Sequence, residues 1–183
     1  MSPKRVLMPL PRYGFDPTET AIPWKILSQS GIEAVFATPN GESAEGDSIM
    51  VTGEKLGVWK RVLQARYDAV EAYHKMKAST AFQNPLRYSD IHDSSFDGLL
   101  LPGGHDKGVK EYLESADVQH SAVQFFASKK PVAAICHGVV VLARSINPAT
   151  GKSVLHSYKT TALLKSQELT AYNMTRLWLE DYY

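Results

Sequence analysis

A doubly wound α/β sheet is the fold class that this sequence predicts, and three observations predict it. Short β-rich runs alternate with helical ones along the chain. Leu99-Leu100-Leu101 is apolar on both faces, as a central parallel strand requires. Polar or reactive groups follow the carboxyl ends of four expected strands, the place where such sheets bind ligands: Pro11 to Glu19, Pro102 to Asp106, Cys136 to Gly138 and His156 to Lys159.

The elements follow in order. Arg5 to Leu10 is the first strand, and after the turn-rich Pro11 to Pro17 a helix opens near Thr18. It runs to about Gln29 and closes at Ser30-Gly31, a glycine just past the last turn. Glu33 to Thr38 is the second strand, ended by Pro39-Asn40-Gly41. The pattern then loosens: 41–57 reads as loop with at most a short strand, and 78–95 as loop again. Between them Val58 to about Met76 reads as one helix, with Val62, Ala65, Ala69, Val70, Tyr73 and Met76 as its core-facing stripe. An ordered detour this long predicts a cap over a site, residues 41–95 of a single domain spanning 1–183. Asp97 to Leu101 is a buried strand broken by Pro102-Gly103-Gly104, and helices at 107–114 and 117–128 follow. Pro131 to Ile135 is the next strand, His137 to Ser145 its helix, Lys152 to His156 another strand and Leu169 to Tyr183 a last helix.

Composition narrows the function. With 183 residues, 44% of them hydrophobic, the chain fits one domain with a core, and wholesale disorder is excluded. Twenty basic residues against nineteen acidic ones leave +1, so nothing suggests a nucleic-acid partner. The start lacks a signal-peptide core, and the most apolar stretch, Pro131 to Ala143, is far shorter than the ~20 residues needed to cross a bilayer. A cytoplasmic protein with no membrane partner is expected. The single cysteine cannot form an internal disulfide and is either buried filler or a reactive thiol.

Ala133-Ala134-Ile135-Cys136-His137-Gly138 carries the strongest chemistry. A buried strand turns at once into a helix with the cysteine at the corner, the geometry of a nucleophile elbow with sulfur in place of oxygen. Ala134 and Gly138 are small because strand and helix must approach closely there. The helix N-terminus favours thiolate over thiol. An inert buried cysteine beside a surface histidine is the weaker alternative. Pro102-Gly103-Gly104 says little alone, but beside the elbow its N–H groups can form an oxyanion hole with that of His137. His105 is placed to line the same pocket, although an exposed loop histidine is the simpler reading. Asp90, His92, Asp93 and Asp97 match no metal-ligand spacing, and no metal is expected.

Taken together, Arg5-Val6-Leu7, Glu19-Thr20-Ala21-Ile22-Pro23, Asp97 to His105 and Ala134 to Gly138 resemble the ThiJ/PfpI superfamily of class I glutamine-amidotransferase-like proteins over most of residues 4–165. The Gly-Gly-His form and the long cap resemble its heat-shock chaperone and glutathione-independent glyoxalase branch. The resemblance implies a flavodoxin-like sheet, no cofactor, a homodimer and a small-molecule substrate. It implies Cys136 as nucleophile and Glu19 as a buried acid that stays protonated and donates to the thiolate. It further implies His137 as proton shuttle, the backbone of Gly103, Gly104 and His137 as oxyanion donors, and His156 as a histidine near the pocket.

The chain departs from that pattern twice. Ser157-Tyr158-Lys159 holds no carboxylate where the glyoxalase branch has an acid that orients the histidine. The family also continues for another strand and helix, whereas this chain stops after a last helix with apolar residues on more than one face. That predicts either a truncated sequence or cover from a partner subunit. The function expected is glyoxalase- or deglycase-like chemistry on small reactive carbonyls such as methylglyoxal. The alternatives are a cysteine hydrolase of small amide-like substrates and a non-enzymatic thiol sensor or chaperone in a stress response.

Overall fold

The computed structural model describes residues 2–162 and 164–179, with all side chains among them except those of Trp59 and Val62. Its first strand, β1 (Arg5–Pro9), alternates strictly: Leu7 packs into one apolar core and Met8 into another on the opposite face. A short β2 (Tyr13–Phe15) leads to α1 (Pro17–Gln29), where Asp16 caps the helix by accepting the N–H groups of Thr18 and Glu19. Next come β3 (Glu33–Thr38), β4 (Glu45–Gly46), α2 (Ser48–Thr52), α3 (Lys60–Leu63), α4 (Tyr67–Lys77), α5 (Thr80–Gln83) and β5 (Leu86–Arg87). The second half holds β6 (Gly98–Leu101), α6 (Val109–Leu113), α7 (Ala116–Ala127), β7 (Val132–Ala134), α8 (Gly138–Arg144), β8 (Ile146–Asn147), β9 (Lys152–Ser153) and α9 (Lys165–Leu179).

Five strands form one parallel sheet in the order β5-β3-β1-β6-β7. The core on one face gathers residues of α6, α7 and α8, and the other those of α1, α4 and α5, so the sheet is doubly wound as expected. All four residues of β6 are buried, which explains their uninterrupted apolar run. The strand order reverses between β1 and β6. A crevice therefore opens beyond their carboxyl ends, and the functional groups collect there.

Three expectations need correction. The helix expected at 58–76 is divided: Ala65 N–H donates to Met50 O at 3.0 Å and Gln64 Nε2 to Val51 O at 3.0 Å, and Arg66 is extended. These tertiary bonds override an uninterrupted helical sequence. Ala69, Tyr73 and Met76 of the expected stripe are buried in α4, while the Val62 side chain lies outside those described. Within the expected loop 78–95, Leu86 and Arg87 pair with Ala37 and Thr38 as the sheet's edge strand, too short for any periodicity. Lastly, the strand expected at 152–156 is only β9, antiparallel to β8 in a hairpin outside the main sheet.

The last helix begins a turn earlier than expected, at Lys165. It finds part of its cover within the chain, because Leu179 is buried with Leu56 against Ile49, Met50 and Leu63. Leu169, Met174, Leu177 and Trp178 remain exposed. Tyr182, and the rest of the 180–183 end, lie outside the described residues.

Candidate active site

Cys136 stands between β7 and α8 with φ of +51°, a left-handed conformation that a non-glycine residue adopts only under local constraint. The constraint is visible in the glycines around it. A Cβ on Gly138 would stand 2.1 Å from Leu101 O, and one on Gly103 would stand 2.6 Å from His137 N. Only glycine lets the helix start press against the end of β6. The strand–turn–helix backbone read from the sequence is present, although β7 is a half-exposed edge strand rather than the buried one expected.

Glu19, in the first turn of α1, reaches across to this corner. Its Oε2 accepts the N–H of Gly103 at 2.8 Å, which holds the carboxyl group beside Cys136. Burial, then the neighbouring Asp16 charge, raises Glu19 to about 7, so the acid keeps its proton until near neutrality. The thiol differs from the expectation of a ready thiolate. Burial, then the Glu19 charge, pushes Cys136 up to about 12, against the N–H of His137, which favours the anion. Sulfur and carboxyl thus compete for a proton: when Glu19 holds one, its repulsion of the thiolate vanishes and the acid becomes a donor. The bond from Gly103 also bears on the oxyanion hole, since that N–H already serves Glu19. Gly104 N–H, by contrast, makes no hydrogen bond with the described residues.

His137 lies beside the sulfur, its Nδ1 3.4 Å from Cys136 Sγ. Its other ring nitrogen, Nε2, is 3.8 Å from Oε1 of Glu168 on α9. His105, on the loop after β6, meets the His137 ring edge to face with centroids 4.8 Å apart. Burial, reinforced by the neighbouring His137, lowers its pKa and favours the neutral imidazole. A cavity of about 230 Å³ opens beside them, lined by Gly104, His105, Lys107, Lys110, His137 and Glu168 among others.

The structure therefore brings Cys136, His137, Glu19, Gly103, Gly104 and His105 together. It does not bring His156, which is exposed, sits against Lys152 Nζ at 3.1 Å, and lines a different groove with Asn147 and Tyr158. The hairpin that replaces the expected strand turns it away. Nor does any described residue of 41–95 line the cavity beside His137. That segment packs α4 on α1 and pairs β4 with β2, where Ser48 Oγ lies 3.1 Å from Tyr13 Oη. Asp90, His92, Asp93 and Asp97 do not converge on a ligand: Asp97 binds Lys4 Nζ at 2.7 Å and Arg5 N at 2.9 Å.

Glu168 is the residue that sequence reasoning missed. The family resemblance directs attention to a carboxylate just after His156, and the sequence pattern begins the last helix one residue beyond Glu168. Because α9 begins at Lys165, Glu168 falls in its first turn and faces the histidine. No described helix is long and apolar enough to cross a membrane.

Residues 10–183 match the model of a family described as ThiJ/PfpI family-like. The chain is 30% identical over 136 residues to the uncharacterized protein C14C4.04 of Schizosaccharomyces pombe, covering 73% of this chain and 48% of that one. It is 28% identical over 154 residues to the glutathione-independent glyoxalase hsp3102 of the same yeast, covering 82% of this chain and 60% of that one. It thus spans about half to three-fifths of the length of these curated relatives. Among solved structures, glyoxalase III of Candida albicans superposes with a TM-score of 0.64 at 19% identity, over 95% of this chain and 74% of that one. The Rapid Encystment Protein REP24 of Francisella tularensis does so with 0.69 at 18%, over 96% and 76%. These two likenesses establish the fold.

Proposed function

Because this chain belongs to the ThiJ/PfpI family, we propose that it is a cysteine-dependent enzyme converting small α-oxoaldehydes, with methylglyoxal as test substrate, into hydroxy acids. The observation that carries the reading is Cys136 on a strained elbow with His137 Nδ1 3.4 Å from its sulfur. The glyoxalase relative supports the choice of reaction, and the Cys136–His137–Glu168 alignment supports the choice of residues.

In the proposed reaction the Cys136 S–H gives its proton to His137, the sulfur adds to the aldehyde carbon, and the carbonyl oxygen takes that proton back from His137 to give a hemithioacetal. Gly104 N–H is the candidate donor to the oxyanion in that addition. His137 removes the proton from the same carbon, forming an enediol, and a proton returns to the neighbouring carbon. One carbon is oxidised and its neighbour reduced, so no outside oxidant is required. The product is an α-hydroxy thioester on Cys136, which water hydrolyses to release the hydroxy acid and the thiol. Glu168 Oε1, 3.8 Å from His137 Nε2, orients the imidazole for the two transfers, while Glu19 supplies a proton to the sulfur whenever the thiolate is free.

The test follows aldehyde loss and hydroxy-acid formation together by proton NMR, with no glutathione present. One lactate formed for each methylglyoxal consumed is expected. Aldehyde lost without lactate, as adducts on lysine and arginine, would overturn the reading.

A further inference from the structure

We propose that His105, Cys136 and His137 form a binding site for a zinc-like divalent metal ion. Sγ of Cys136 and one nitrogen of each histidine all lie within 4.8 Å of one another, and no other such trio occurs among the described residues. Thiolate and imidazole are the donors that ions of this borderline softness prefer. The spacing also fits. Bonds of about 2.3 Å to sulfur and about 2.0 Å to nitrogen give a tetrahedral S–N edge of about 3.5 Å. Cys136 Sγ and His137 Nδ1 are 3.4 Å apart.

The surroundings support coordination rather than mere crowding. Two ligands sit on consecutive residues of the strained elbow, whose backbone is fixed by the close approach of Gly138 to Leu101 O. The third comes from the loop after β6. With Nδ1 of His137 toward the metal, Nε2 faces Glu168 Oε1 at 3.8 Å, the place where metal-bound histidines hold an orienting carboxylate. The adjoining cavity of about 230 Å³ leaves room for water or a small anion as fourth ligand. Binding replaces the thiol proton by the metal: the S–H bond breaks, an S–metal bond forms, and one proton is released.

Since the same sulfur is the proposed nucleophile, metal and aldehyde exclude each other. This regulatory consequence rests on the function proposed above, whereas the binding site itself does not.

Cobalt(II) tests the site, because with a single cysteine in the chain any thiolate-to-cobalt charge-transfer band reports Cys136. The full chain titrated with cobalt chloride is expected to develop that band at one equivalent, and zinc should displace it. Cys136→Ser should abolish the band. His105→Ala should weaken cobalt affinity at least tenfold with an unchanged circular dichroism spectrum, and His105→Asn serves if the alanine variant does not fold. No band in the wild type, or equal affinity without the His105 imidazole, would overturn the site. A zinc-displaceable band in a protein that makes no lactate would sustain the metal site and sink the enzymatic reading. Lactate formation that zinc leaves untouched, with no cobalt band, would do the reverse.

Discussion

Glu19 and Gly103 are joined by a 2.8 Å hydrogen bond across 84 residues of sequence, the carboxyl oxygen of α1 accepting the N–H of the loop after β6. This bond fixes the acid beside Cys136, and burial there makes its protonation a property of the folded state. In Glu19→Gln a neutral amide takes the same place. Activity is expected to fall roughly tenfold or more, about 1.4 kcal/mol in the barrier, because the group that exchanges a proton with sulfur is gone. Steady-state kinetics with methylglyoxal checks this.

Stability should carry the same signature. Glu19 is raised from 4.5 to about 7 in the folded protein, so between those values the native state binds a proton that the unfolded chain has lost. Its contribution is fully present below about 4.5 and is lost as pH rises through about 7. The size is at most on the order of 3 kcal/mol, less as solvent reaches the carboxyl. Urea midpoints measured from about pH 4 to about pH 8 should fall in the wild type, and the Glu19→Gln profile should be flatter. Parallel profiles would contradict the assignment.

Gly138→Ala tests the elbow as a packing device. The added methyl meets a backbone oxygen at 2.1 Å, so β6 and α8 must separate. A loss of about 3 kcal/mol is expected, together with loss of activity through the displaced Cys136. A denaturation midpoint like that of the wild type would show that the contact yields cheaply.

For Glu168→Gln, kcat should fall roughly tenfold, since the carboxylate orients His137. Glu168→Asp should fall between. An unchanged kcat would make the 3.8 Å approach incidental.

Tyr112→Phe offers a prediction of opposite sign. Its hydroxyl is fully buried and has no hydrogen-bond partner among the described residues. Removing it should stabilise the protein by about 1 kcal/mol, raising the melting temperature by roughly 2–4 °C.

The elbow was legible because close approach of strand and helix demands small residues, which Ala134 and Gly138 supply. The parallel sheet was legible from β6, whose burial on both faces leaves no polar positions. Other features depend on contacts between distant segments. Ala65 leaves its helix for Met50 O, a bond that no local pattern records. Glu168 reaches His137 only because α9 starts a turn early, and His156 misses the site because its segment folds into a hairpin. The state of the thiol depends on the fold for a related reason. The helix N-terminus favours the anion, but burial and the Glu19 charge outweigh it, and both are properties of the assembled fold.

The most direct measurement compares lactate formation from methylglyoxal, without glutathione, in the wild type and in Cys136→Ala. Turnover by the wild type and its abolition in the variant are expected, with both proteins folded. Equal lactate formation by the two, or none by either, would contradict the claim that Cys136 is the nucleophile of a carbonyl-converting enzyme.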